Sequence, residues 1–169
     1  MIERPRGRDL SPAEAEAFVR DLADRPELWQ NLVRHDPDAR VYEQLLRDEH
    51  LAVWLICWME DHDTGFHDHD VSSGAVAVVE GAVREDRLTL GGPCASRVAV
   101  AGSSFCFAAS DIHRVLHHGD RPAVTLHAYS PPLWRMGAYE IRPDGSLARH
   151  SMSYAEELRP LAEPAPQPA

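Results

Sequence analysis

Phe66-His67-Asp68-His69-Asp70-Val71-Ser72-Ser73-Gly74 is the stretch on which the reading of this chain turns. Taken as extended chain, it places two imidazoles at i and i+2, and residues two apart in a strand point to the same face. His67 and His69 can therefore reach one point in space. A third histidine, in Asp111-Ile112-His113-Arg114-Val115, opens a later strand-like run and can complete a facial set of three. Three imidazoles suit iron, zinc, copper or nickel and leave coordination positions open for substrate.

Working outward, residues 40–47 and 51–58 read as two strands around the Asp48-Glu49-His50 turn. Residues 75–79 and 82–90 read as a hairpin about Glu80-Gly81, closed by Gly91-Gly92-Pro93. Short strands at 97–100, 104–107, 113–117, 123–129 and 136–141 follow, separated by Gly, Ser, Asp and Pro. Ahead of them, Ser11-Pro12-Ala13-Glu14 is a capping box that predicts a helix over 12–24, with Leu10, Ala15, Phe18, Val19 and Leu22 on one side. Pro26 predicts a second short helix with Leu28, Trp29, Leu32 and Val33 as its stripe. The organisation expected is a helical segment at 1–38, a β domain at 39–158 and a flexible proline-rich tail at 159–169.

The totals narrow the function. A chain of 169 residues is of single-domain size, and its 17 Lys and Arg against 27 Asp and Glu give a net charge of -10. Such a balance excludes non-specific attraction to nucleic acid or anionic lipid and favours a small-molecule substrate. The three cysteines, Cys57, Cys94 and Cys106, have no CxxC spacing, so they predict no disulfide framework and a reducing, cytoplasmic compartment. The charged N-terminus lacks a following apolar run, so no signal peptide is expected, and the longest apolar run, 51–57, is too short to span a bilayer. Cys57 and Cys106 read as core residues and Cys94 as a loop residue. His35, His50, His62 and His150 read as solvated, while His117 and His118 read as either solvated or hydrogen-bonded behind the third histidine.

His67-x-His69 followed by Gly74 and Gly81 is similar to the first cupin motif, with Gly74 where many cupins carry a metal-binding glutamate. Gly102, His113 and His117 are similar to the second motif, with Ser110 and His117 as departures. The resemblance implies a mainly β fold, the cupin double-stranded β-helix or jelly-roll barrel, with a short N-terminal helical segment. Without the glutamate the three ligands are neutral, so the charge of a divalent ion must be balanced by incoming ligands, which favours an anionic thiolate.

Four stretches extend the likeness: Ile56-Cys57-Trp58, Phe66-His67-Asp68-His69, His113-Arg114-Val115, and Thr125-Leu126-His127-Ala128-Tyr129-Ser130-Pro131-Pro132-Leu133. Together they resemble the cysteine dioxygenase family of thiol dioxygenases, from about Arg40 to Tyr139. The resemblance implies mononuclear Fe(II) on His67, His69 and His113, with O2 as co-substrate. It also implies catalytic roles for Tyr129, His127 and Thr125, where threonine replaces the family's serine. Thr125, His127 and Tyr129 also share one strand face, so His127 can orient the Tyr129 hydroxyl. Gly74 stands where animal members carry the cysteine crosslinked to this tyrosine, which implies an unmodified Tyr129.

Arg40, counted back from Leu45-Leu46, falls where the family binds the substrate carboxylate, and a guanidinium offers a fork for that group. Val41 and Glu43 depart from the family's aromatic and second arginine, so a surface ion pair is the competing role for Arg40. Arg47 and Arg135 are its alternatives as clamp. The expected activity is oxidation of a small thiol, L-cysteine first, to its sulfinic acid by a monomer or small homo-oligomer. The alternatives are 3-mercaptopropionate or another thiol, a metal-binding cupin without turnover, and zinc hydrolysis with Asp70 or Glu80 as base. The Ser130-Pro131 bond is a candidate for the cis form.

Overall fold

The capping box at the start of the chain forms as its residues dictate. In a computed structural model, which describes residues 7–89 and 91–153, helix α1 runs Pro12–Ala23. The Ser11 hydroxyl accepts from the Glu14 amide and the Glu14 carboxylate accepts from the Ser11 amide. Ala15, Phe18, Val19 and Leu22 are its buried face. The second helix is not α-helical: Pro26–Leu28 and Gln30–Leu32 are separate 3-10 turns interrupted at Trp29, whose extended φ of -143° breaks the run. Of the predicted stripe only Trp29 is buried, with its indole N–H donating to the Leu22 carbonyl.

Eleven strands follow among the described residues. They are β1 Val41–Arg47, β2 Ala52–Trp58, β3 Phe66–Asp68, β4 Ser73–Glu80, β5 Ala82–Arg87, β6 Ala95–Val100, β7 Ser104–Phe107, β8 His113–His117, β9 Ala123–Ser130, β10 Arg135–Ile141 and β11 Leu147–Ser153. They form a five-stranded sheet in the order β1-β2-β9-β4-β7 and a six-stranded sheet in the order β11-β10-β3-β8-β5-β6, with antiparallel pairing throughout. Strand alternation sorts the first sheet's side chains. Val53, Leu55, Cys57, Ala75, Ala77, Val124, Leu126 and Ala128 pack with α1 on the outside. Ile56, Trp58, Val76, Val78 and Tyr129 face inward with Val83, Phe105, Phe107 and Val115. β9 is buried along its whole length because helix and barrel interior cover its two faces.

Two expectations about pairing are corrected. The predicted hairpin at 75–79 and 82–90 does not form: β4 lies in the five-stranded sheet, while β5 pairs with β6 and β8 in the other. The chain crosses between sheets at Gly81, whose φ is +64° and where a Cβ would lie 2.4 Å from the Pro122 carbonyl oxygen. A turn that changes sheets and a hairpin turn share their residue signals, so local sequence did not separate them. The histidine stretch is likewise not one strand. β3 ends at Asp68, Asp70 takes a left-handed φ of 57°, and β4 begins at Ser73 in the opposite sheet. β11, which no apolar alternation announces, adds an edge strand paired along all of β10. The Ser130-Pro131 peptide is cis. The predicted tail at 159–169 lies outside the described residues.

Candidate metal centre and active site

β3 and β8 meet at one register position, His67 opposite His113, which is the closest approach that cross-strand neighbours make. His69 joins them from the turn after β3. The three ring centroids lie 4.8 to 5.1 Å apart and the three donor nitrogens fall within 4.8 Å of one another. All three residues are buried.

Hydrogen bonds fix two of the rings. His67 Nδ1 donates to the Gly65 carbonyl at 3.0 Å, and His113 Nδ1 donates to the Glu85 carboxylate at 2.6 Å. Both partners are acceptors only, so in the neutral rings the proton sits on Nδ1 and the Nε2 lone pair remains for a ligand bond. His69 Nδ1 is buried with no hydrogen-bond partner, and its ring stacks on Phe107 at 4.3 Å. Burial drives His67 down to about 3 and His69 well below its usual value, with the neighbouring histidines adding to the shift. Neutral imidazoles with open lone pairs are the form a metal requires, so the donor set fits a divalent ion.

Glu85, which sequence reasoning missed, is 2% exposed. Burial alone would raise its carboxyl, but the hydrogen bond and charge of His113, with Arg87, bring it down to about 2. Arg87 and Arg97 complete its contacts at 2.9 and 2.6 Å. The signal was present in Arg84-Glu85-Asp86-Arg87, a charged run inside a strand in which Glu85 shares a face with the core residue Val83.

The histidines line a cavity of about 570 Å3 that opens to solvent, its mouth included. Arg40, Tyr42, Trp54, Phe107, His127 and Tyr129 share the lining, and among the described residues no carboxylate does. Arg40 and Tyr42 reach it from one face of the β1 edge, and the guanidinium lies 5.4 Å from the Tyr42 ring and 5.5 Å from the Trp58 ring. Neither alternative arginine lines it: Arg47 lies over Trp134 and Arg135 pairs with Asp70. Glu43, at the departure from the family pattern, pairs with Arg34 instead.

On β9, Thr125, His127 and Tyr129 do project inward together. Thr125 Oγ1 is 2.8 Å from His127 Nε2, and His127 Nδ1 is 3.3 Å from the Tyr129 hydroxyl. Trp58 Nε1 donates to Thr125 Oγ1 at 2.8 Å, a partner that sequence reasoning did not supply. Burial brings His127 down to about 3, so it too is neutral. Tyr129 sits 5.4 Å from His69, ring to ring.

Gly74 pairs with Tyr129 across β4 and β9. A Cβ there would lie 2.1 Å from the Ala128 carbonyl oxygen and 2.6 Å from Phe107 Cζ. The Phe107 ring thus fills the space that a glutamate or cysteine at this position would need. Gly74→Ala is expected to cost about 1–3 kcal/mol or more, read as a drop of roughly 3–10 °C in the thermal midpoint. An unchanged midpoint would mean that the strand yields at no cost.

Three other histidines differ from or sharpen expectation. His62 is buried rather than solvated, with Nδ1 accepting from the Met59 amide at 3.0 Å. His117 contacts the Arg121 carbonyl, and neither it nor His118 lines the cavity. The cysteines are unpaired, with Cys57 buried, Cys94 exposed and Cys106 between the two.

Two sheets closed around an inward set of three histidines define the cupin fold. The chain superposes on a cupin superfamily protein from Desulfitobacterium hafniense with a TM-score of 0.53 and 11% identity, covering 63% of this chain and 91% of that one. A conserved protein with a double-stranded beta-helix domain from Klebsiella pneumoniae gives a TM-score of 0.53 and 13% identity, covering 71% of this chain and 91% of that one. The family description "Cysteine dioxygenase type I" matches residues 13–142, and the chain belongs to that family of thiol dioxygenases. It is 27% identical over 147 residues to cysteine dioxygenase type 1 of Danio rerio, covering 79% of this chain and 72% of that one. It is 25% identical over 149 residues to the Homo sapiens protein, covering 80% and 73%. Among the described residues no helix is long and apolar enough to cross a membrane.

Proposed function

We propose that this chain oxidises a small thiol bearing a carboxylate, L-cysteine foremost, to the sulfinic acid, RSH and O2 giving RSO2H. The observation that carries the reading is the union in one cavity of three histidines, an arginine and the Thr125-His127-Tyr129 row. His67, His69 and His113 would hold Fe(II), which when bound supplies the redox chemistry that joins both oxygen atoms to sulfur.

The remaining work falls to side chains. With no carboxylate of the described residues in the lining, Arg40 gives the cavity a positive charge that draws in a thiolate carboxylate. Its fork, held between the Tyr42 and Trp58 rings, grips the carboxylate and orients the sulfur toward the histidines. The indole N–H of Trp58 can only donate, so Thr125 accepts from it and donates its own hydroxyl hydrogen to His127 Nε2, its closer acceptor at 2.8 Å against 3.4 Å for the Ile56 carbonyl. His127 then carries hydrogen on Nδ1 and donates to the Tyr129 oxygen. The Tyr129 O–H is thereby directed away from His127 and can donate to charge developing on the oxidised sulfur. Zinc hydrolysis finds no support, since Asp70 pairs with Arg135 at the turn and Glu80 is exposed outside the cavity.

A second substrate has a specific observation in its favour. Among the described residues no carboxylate lines the cavity to meet an ammonium group, so 3-mercaptopropionate satisfies the same clamp. Oxygen consumption by iron-loaded protein with L-cysteine, 3-mercaptopropionate and cysteamine tests both readings. Uptake with the two carboxylates and little with cysteamine is expected, and no thiol-dependent uptake at all overturns the proposal. Arg40→Met is expected to raise KM for the carboxylate substrates roughly 10- to 100-fold, the worth of hydrogen bonds to a charged group, while leaving metal content unchanged.

A further inference from the structure

β3 is three residues long, and its ladder consists of Gly137, Ala138 and Tyr139 of β10 on one side and the single position His113 of β8 on the other. So short a strand is a weak platform for two ligands. Asp68, between the two histidines, alternates to the opposite face and is 7% exposed. Its carboxylate accepts five hydrogen bonds. Oδ1 receives the Asp70 amide at 2.9 Å, the Gly137 amide at 3.1 Å and Arg149 Nη2 at 3.0 Å; Oδ2 receives the Tyr139 hydroxyl at 2.6 Å and Arg149 Nε at 2.8 Å. Those donors come from the turn that carries His69, from β10 and from β11.

The backbone is shaped for this contact. Gly137 faces Asp68 in the ladder, and a Cβ on it would lie 2.2 Å from Arg149 Nε and 2.6 Å from Asp68 Oδ2. Only glycine lets the ion pair lie flat against β10. The Asp70 amide bond also pins the residue in left-handed φ, which sets the direction in which the chain leaves His69.

We propose that Asp68 is a positioning residue for the metal centre: clamped by Gly137, Tyr139 and Arg149, it fixes the strand end and turn from which His67 and His69 reach the cavity. β11, an edge strand remote from the cavity, thereby becomes part of the scaffold of the ligand pair. The inference rests on reading His67, His69 and His113 as metal ligands.

Cobalt(II) titration of the full chain against a competing chelator, with the visible cobalt spectrum recorded alongside, tests it on four variants. Asp68→Asn keeps the shape and loses the charge. Arg149→Met removes the fork from a side chain 38% exposed. Gly137→Ala leaves every polar group in place and displaces only the tips of the pair. Each is expected to weaken cobalt binding roughly 10- to 100-fold, as loss of supporting contacts does, and to shift the spectrum, with Arg149→Lys recovering part of the affinity. Wild-type affinity and spectrum in folded Arg149→Met and Gly137→Ala, with only the urea midpoint of the metal-free protein lowered, would overturn the proposal even where Asp68→Asn fails to fold. A wild-type chain that takes up no cobalt overturns the metal reading itself, and the positioning role with it.

Discussion

His69→Ala is expected to abolish metal retention and thiol-dependent oxygen consumption while leaving the chain folded. A site that binds through four ligands is worth about 10–16 kcal/mol, so one ligand carries about 3 kcal/mol, more than 100-fold in affinity. His69 is expected to show the loss most cleanly because its ring packs against Phe107 but supports no hydrogen bond or ion pair. Its Nδ1 has no hydrogen-bond partner, and burial keeps the ring neutral, so truncation orphans no charge. His113 is a poorer test, since its removal strands the buried Glu85 carboxylate between Arg87 and Arg97. Iron content by elemental analysis, oxygen uptake and a thermal midpoint check the result, with the exposed His150→Ala as control. Retention of stoichiometric iron by His69→Ala would remove this residue from the site.

Tyr129→Phe is expected to lower turnover roughly 100-fold or more, the range for losing one hydrogen-bond donor or acid aimed at developing charge, without lowering metal content. The ring remains to pack among Phe107, His69 and His127, so the change isolates the hydroxyl. A chain that merely binds metal would keep its affinity and show no turnover to lose. Because the hydroxyl is argued to act on the reacting sulfur rather than on binding, the loss is expected in kcat with KM little changed. A loss confined to KM would place Tyr129 in substrate binding instead.

Much of the site was legible because its parts are local. His67 and His69 are two residues apart, and Thr125, His127 and Tyr129 alternate along a strand buried on both faces. Glu85, Trp58 and Phe107 were not, because each acts through a partner far along the chain: His113, Thr125 and Gly74 respectively. The hairpin expected about Gly81 failed for a related reason. A corner that exchanges sheets is decided by which sheet the next strand can bury its apolar face in, and Val83 buries beside Val115 of its own sheet and in one cluster with Phe105 of the other.

The sequence alone determined the histidine triplet, the capped helix, the strand-rich body and the family likeness, since these depend on residue type, short spacing and period. Tertiary structure alone decided that the histidine stretch breaks at Asp68 and that its two halves enter opposite sheets. It also decided that Arg40 rather than Arg47 or Arg135 lines the cavity and that Asp68 is gripped from β10 and β11. The physical reason is that two-residue alternation sets which way a side chain points but not what stands opposite it, and what stands opposite depends on barrel closure.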